Sequence, residues 1–154
     1  MTDAPGNADP IRQILSELFA SQKLGVLGTH SDGQPHASLV AFAASDDLKT
    51  LLFATRRPTQ KYANIMADAR VSMLIDSRSA QDVDFQECVA VTAMGAAAEV
   101  DQDEMESLAA LYLGRHPNLR QFLALPPTAL MKIDVASYHV VSQFEEVTDW
   151  PVPR

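Results

Sequence analysis

Apolar positions recur along this chain with two periods, and the switches between them mark its elements. Ile11, Ile14, Leu15, Leu18 and Phe19 fall at helical spacing behind Asp9-Pro10, a capping residue and a proline suited to the first helical position. They predict an amphipathic helix ending at Ser21-Gln22. Lys23 to His30 reads as a strand, and Ser31-Asp32-Gly33-Gln34-Pro35 as a turn with Gly33 free to take a positive φ. In the return strand, His36 to Ala44, alternation puts His36, Ser38, Val40 and Phe42 on one face and Ala37, Leu39, Ala41 and Ala43 on the other. Ser45-Asp46-Asp47 turns the chain into a third strand, Lys49 to Thr55, completing an antiparallel meander.

A short helix from Thr59 to Ala67 follows, then a strand from Arg70 to Asp76, a polar loop from Ser77 to Gln86 and a long strand from Cys88 to Val100. Gly95 inside that strand predicts a bulge or bend. Asp101 is placed to cap a helix with an acidic first turn (Asp103, Glu104, Glu106) and a buried stripe of Met105, Leu108, Leu111 and Tyr112. His116-Pro117 breaks it, a short helix holds Leu119, Phe122 and Leu123, and Pro126-Pro127 stops that. Leu130 to Val135 and Tyr138 to Phe144 predict a final hairpin, with a tail at Trp150-Pro151. About seven short, mostly antiparallel strands with peripheral helices favour a mainly β barrel, which leaves no exposed edge. Residues 1–8 read as a disordered lead, 9–150 as a single domain and 151–154 as a tail.

Charge changes this picture locally. Twenty acidic against twelve basic residues give a net charge of −8, which argues against nucleic acid or an anionic membrane as partner. One cysteine, Cys88, excludes an internal disulfide framework. With a polar MTDAPGNADP start and no apolar run of spanning length, the expected location is cytoplasmic. Against that acidic background Arg56, Arg57 and Lys61 stand together, between a strand end at Phe53-Ala54-Thr55 and a helix start at Pro58-Thr59. Two readings fit: a solvated loop capped by Thr59, or a phosphate site in which cations, hydroxyls and free helix N–H groups converge. No glycine-rich loop accompanies it, so it is not a nucleoside triphosphate loop.

The other reactive residues form no constellation. His30 and His36 flank a turn without a third metal ligand, and no nucleophile, base and orienter come together. Cys88 has no basic neighbour in sequence and reads as structural. The methionines fall in apolar patterns and read as core. Trp150 should pack either on the body or on a neighbouring subunit.

The stretches LGVLGTHSDGQPHASLVAF and LLFATRRPTQKYANIMADARVSMLID resemble the FMN-binding split barrel of the pyridoxamine 5'-phosphate oxidase-related proteins. The likeness covers Leu24 to Val100 well and the last strands less closely. It implies an antiparallel, Greek-key-like barrel of six to seven strands, a homodimer with FMN at the subunit interface, and a flavin-dependent oxidoreductase acting on a small-molecule substrate or electron donor. By that resemblance Thr55, Thr59, Gln60 and Lys61 hold the phosphate, with Arg56 or Arg57 adding a cation. The ring lies along His36, Ala37, Ser38, Leu39 and Val40, and Ala54 lines the pocket. Gln86, Cys88 or Trp150 closes the site from the partner. The oxidase's C-terminal substrate-binding arginine motif has no counterpart in EEVTDWPVPR, which argues against pyridoxamine 5'-phosphate as substrate. Haem-utilisation barrels carry a glycine-rich segment where this chain has Ser142-Gln143-Phe144-Glu145. The alternatives are a haem-binding barrel, a deazaflavin-dependent reductase and a non-catalytic flavin binder.

Overall fold

The computed structural model describes residues 9–78, 88–142 and 146–154. The expected disordered lead, Gln86 and most of the polar loop before Cys88 lie outside the described residues.

Helix α1 (Pro10–Ser21) starts where expected, with Asp9 Oδ1 accepting the Ile11 N–H at 3.1 Å. Leu15, Leu18 and Phe19 are its buried face. Strands β1 (Leu24–Ser31) and β2 (Gln34–Ala44) form a hairpin over Asp32 (φ 49) and Gly33 (φ 77), a pair of positive φ values that suits the twist of a two-residue turn. β3 (Thr50–Arg56) completes the meander. After α2 (Gln60–Ala67), β4 (Arg70–Asp76) pairs with β1, and β5 (Ala90–Glu99) with β4.

Helix α3 (Gln102–Arg115) has Asp101 at its cap position, without the expected side-chain hydrogen bond. Of its expected stripe Tyr112 alone is fully buried, while Met105, Leu108 and Leu111 are half-covered against the outside of β2, β3 and β6. A 3-10 turn (Pro117–Leu119) and α4 (Arg120–Ala124) lead into β6 (Thr128–Ser142) and β7 (Glu146–Pro151).

All pairings are antiparallel in the order β3-β2-β1-β4-β5-β6-β7, and β3 also pairs with β6, so six strands close into a barrel and β7 adds to β6. Where a hairpin between Leu130–Val135 and Tyr138–Phe144 was expected, Leu130 to Ser142 lie in one continuous strand, and Phe144 lies outside the described residues. Ala136 is an extra residue between Val135, opposite Gly95, and Ser137, opposite Met94. Such a bulge returns Tyr138 and Val140 to the interior face already held by Ile133 and Val135. A Cβ on Gly95 would lie 2.1 Å from the Asp134 carbonyl oxygen, so only glycine fits. The supposed tail is strand β7, and its Trp150 is packed into the core.

The interior is one cluster running from Leu15 and Phe19 through Leu27, Phe42, Phe53, Met73, Val91 and Met131 to Tyr138. No helix among the described residues is long and apolar enough to cross a membrane.

Candidate functional site

Two neighbouring strands part near one end of the barrel. β2 stays paired to β1 down to Gln34, and β3 to β6 down to Thr128, but β2 and β3 pair only from Ala44↔Leu51 to Phe42↔Phe53. Beyond that point lies a cavity of about 350 Å3. Leu39, Val40 and Ala41 line it from β2, Ala54, Thr55 and Arg56 from β3, and Thr59 and Lys61 from the start of α2. Tyr112, Leu119 and Phe122 close it from the helical side.

The strand edges bordering the cavity carry unpaired backbone groups. The Phe42 N–H bonds the Lys23 carbonyl on the β1 side at 3.1 Å. By sheet alternation the backbone of Val40 and Ser38 also turns toward β1, and that of Ala41 and Leu39 toward the cleft. The Tyr112 hydroxyl donates to the Ala41 carbonyl at 3.1 Å. Burial raises this phenol to about 12, so it stays protonated at neutral pH.

At the end of β3 the local bonds shape the loop. Thr59, at the N-cap of α2, accepts the Tyr62 N–H at 3.4 Å and donates to the Arg56 carbonyl at 2.7 Å. The buried Thr55 hydroxyl lies 3.3 Å from that of Thr59. Asn64 is buried and donates to Thr29 on β1 at 3.1 Å, which fixes the helix against the barrel. The N–H groups of Gln60 and Lys61 have no intrahelical acceptor, as at any helix start.

The three cations separate into two kinds. Arg57 is committed: its guanidinium forks onto Glu99 at 2.9 and 3.1 Å and donates to the Pro126 carbonyl at 2.9 Å. Those bonds, and then the Tyr62 hydroxyl, hold the Glu99 carboxyl below its usual value. Arg56 and Lys61 form no side-chain hydrogen bond or ion pair among the described residues, and both line the cavity. The net effect is two uncompensated positive charges beside a helix N-terminus.

The structure thus brings together Leu39, Val40, Ala54, Thr55, Arg56, Thr59 and Lys61 of the residues singled out from sequence. His36, Ala37 and Ser38 lie further along β2, outside the cavity lining, and His36 stands opposite Thr29 rather than His30. Gln60 turns back along its helix to bond Asn64 at 2.7 Å. Trp150 donates to Asp9 Oδ2 at 2.6 Å and sits under Arg12 and beside Tyr138, so it packs on its own body. Cys88 lies beside Ser77, and Gln86 is outside the described residues. Tyr112, Leu119 and Phe122 were not foreseen as site residues. Their sequence pattern gives only burial, because the strands they meet lie far away in the chain.

The cleft opens beside two uncharged rows of a sheet face, which on β4 lie between Arg70 and Asp76. Leu39, Val26, Leu74 and Thr92 stand opposite one another in a row across β2, β1, β4 and β5, and Ala37, Gly28, Ser72 and Met94 form the next row. Leu39 is 67% exposed, Met94 42% and Leu74 38%. A solvated sheet face normally alternates to polar residues, so these rows are unusually apolar for an exposed position.

Comparison with known proteins matches residues 11–142 to the family model described as pyridoxamine 5'-phosphate oxidase. Among solved structures, a heme binding protein from Mycobacterium smegmatis superposes with TM-score 0.79 at 20% identity, covering 97% of this chain and 60% of that one. A FAD-binding protein from Mesorhizobium loti gives 0.67 at 18% identity over 83% of this chain and 90% of its own. A Clostridium acetobutylicum protein related to general stress protein 26, of the pyridoxinephosphate oxidase family, gives 0.71 at 13%, covering 93% and 95%. At these identities the likeness is one of fold. No curated protein matches the chain.

Proposed function

Starting from the fact that this chain belongs to the pyridoxamine 5'-phosphate oxidase family, we propose that it binds FMN in the β2–β3 cleft and acts as a flavin-dependent oxidoreductase. One observation carries the reading: two strands of a closed barrel part where two uncompensated cations and a helix start converge. The donor set suits a phosphate monoester. Lys61 supplies a point charge, Arg56 a planar fork, and the Gln60 and Lys61 N–H groups a helix-start cradle. The hydroxyls of Thr55 and Thr59 serve the loop by bonding the Arg56 carbonyl, so their contribution is to shape the cradle.

The unpaired edge of β2 at Leu39 offers amide donors and acceptors to the polar rim of a flavin. Val40, Leu119 and Phe122 offer apolar cover that excludes water. FMN, when bound, supplies the electron or hydride chemistry. The chain binds, orients and shields, and Tyr112, protonated at neutral pH, remains a hydrogen-bond donor throughout.

In the same reading two copies meet on these uncharged rows and the flavin lies at their boundary, a reading supported by Leu39, which belongs both to the rows and to the cleft lining. A cavity of about 350 Å3 is near the lower limit for a small-molecule site, as suits a site completed by a second copy. The test is FMN titration of apo-protein, read by quenching of flavin fluorescence. Saturation at one FMN per chain is the expected result, and absence of saturable binding rejects the reading.

A further inference from the structure

We infer that Tyr62 and Glu99 are positioning residues for the phosphate cradle: one carboxylate at the end of β5 grips the segment Arg57–Tyr62 at both of its ends and so fixes the direction of the helix-start N–H groups between them. The cradle half of this inference rests on the function proposed above; the clamp half stands without it.

The N–H groups of Gln60 and Lys61 and the Lys61 cation lie in the stretch Pro58 to Lys61, flanked by Arg57 and Tyr62. Both flanking side chains reach the same group. Arg57 Nε and Nη2 donate to Glu99 Oε1 and Oε2 at 2.9 and 3.1 Å, and the Tyr62 hydroxyl donates to Oε1 at 2.5 Å. Glu99 is itself held by the barrel. It pairs with Met131 of β6, and the next residue, Val100, donates its N–H to the Leu130 carbonyl at 2.9 Å. β6 in turn pairs with β3 as far as Thr128↔Arg56. The segment from Arg57 to Tyr62 is therefore closed into a ring through a carboxylate anchored in the barrel wall.

The other bonds of α2 leave this task to the clamp. Asn64 fixes the second turn to Thr29 of β1. In the first turn the Thr59 cap bond to the Tyr62 N–H is long, 3.4 Å, and helix starts fray. The N–H groups of a frayed turn point in many directions, and ordering them when a ligand arrives costs affinity. Tyr62 can carry the restraint because its ring is half-buried and packed against the core. Its hydroxyl keeps its proton at neutral pH: the bond to Glu99, and then burial, push the phenol upward, while Glu99 stays ionised. One carboxylate thus serves two donors whose separation along the chain matches the span of the cradle.

The experiment uses the full chain with Tyr62→Phe, which keeps the ring and every charge. In the apo form, amide relaxation measured by NMR should give lower order parameters at Gln60 and Lys61 and unchanged ones at Asn64 and Ile65. With FMN, affinity should fall threefold or more while the visible absorption spectrum of the bound flavin stays that of wild type, because the ring site is untouched. Unchanged order at Gln60 and Lys61 overturns the clamp. An FMN affinity within threefold of wild type overturns its role in the cradle. So does a shifted flavin spectrum, since a bond that merely props the fold would disturb the ring as well as the phosphate. If wild-type protein takes up no FMN, the proposed function fails, and the order parameters of the apo variant alone decide the clamp half.

Discussion

Leu74→Asp separates the two parts of the functional reading, because Leu74 lies in the uncharged rows but outside the cleft lining. The side chain is 38% exposed, so covering it in a dimer recovers about 1 kcal/mol of the 1.5–3 kcal/mol that full burial of a leucine gives. Two-fold symmetry doubles this to about 2 kcal/mol per dimer. Aspartate also draws two unpaired carboxylates out of water, at a minimum of about 1–3 kcal/mol each on the mutational scale for polar groups. The total is at least about 4 kcal/mol, or roughly a thousandfold weaker association. The monomer loses little, since the position is half-open and β-propensity spans only about 1 kcal/mol. Sedimentation velocity at micromolar concentration should show a wild-type dimer and a folded Leu74→Asp monomer. FMN titration of the same samples should show weaker binding by the variant, although no cleft residue has changed. A Leu74→Asp protein that sediments as wild type refutes the assigned face. A monomeric variant that binds FMN as tightly as wild type refutes the shared site.

Three further outcomes follow from the geometry. Lys61→Ala should weaken FMN binding by about 1.5–3 kcal/mol, the range for a hydrogen bond to a charged group, roughly ten- to a hundredfold in titration; unchanged affinity removes Lys61 from the site. Gly95→Ala forces a Cβ to within 2.1 Å of the Asp134 oxygen. Because the obstacle is backbone, the cost should reach about 3 kcal/mol, lowering the thermal midpoint by about 6–12 °C for a chain of this size; a shift under about 3 °C would sink the argument. Glu99 has a folded pKa lowered chiefly by its hydrogen bonds to Arg57 and then Tyr62. It therefore contributes stability that is complete above its unfolded pKa, about 4.3, and is lost as pH falls through the folded value. The stability gap between wild type and Glu99→Gln in urea melts should accordingly be open at pH 7 and close below about pH 4.

How far the sequence could be read depended on whether a signal was local. β4 emerged with both ends correct because Val71, Met73 and Ile75 alternate without interruption. Thr59 was recognisable as a cap, since its bonds reach only to Arg56 and Tyr62. The break at Ala136 and Ser137 was read as a turn, because a slip of one residue in an alternating pattern looks the same for a bulge and for a tight reversal. Gly95, forty positions before its partner Val135, carried the missing information: a bulge was expected in β5, but its partner was not identifiable. Trp150 lies in a strand that is otherwise exposed, so no periodicity announced β7. Arg57 seemed equivalent to Arg56 because Glu99, which captures it, lies 42 positions away.

In the proposed reading, that capture lets a chain of net charge −8 hold a dianion. Charges further apart than about 8–10 Å are largely screened at physiological salt, so a phosphate responds to its immediate neighbours and not to the whole molecule. Beside the cleft, Glu99 cancels Arg57, while Arg56 and Lys61 keep their charge and the first turn of α2 adds its partial positive end. Arg57 is then better understood as a strut than as a ligand. It ties the end of β3 to the end of β5 through Glu99, and to the segment after α4 through the Pro126 carbonyl. Its own N–H bonds the Pro127 carbonyl at 2.8 Å. The proposed phosphate cradle and the helical cover bearing Leu119 and Phe122 are therefore fastened at a common point. Its neighbour in sequence, Arg56, faces the cavity without an ion-pair partner among the described residues.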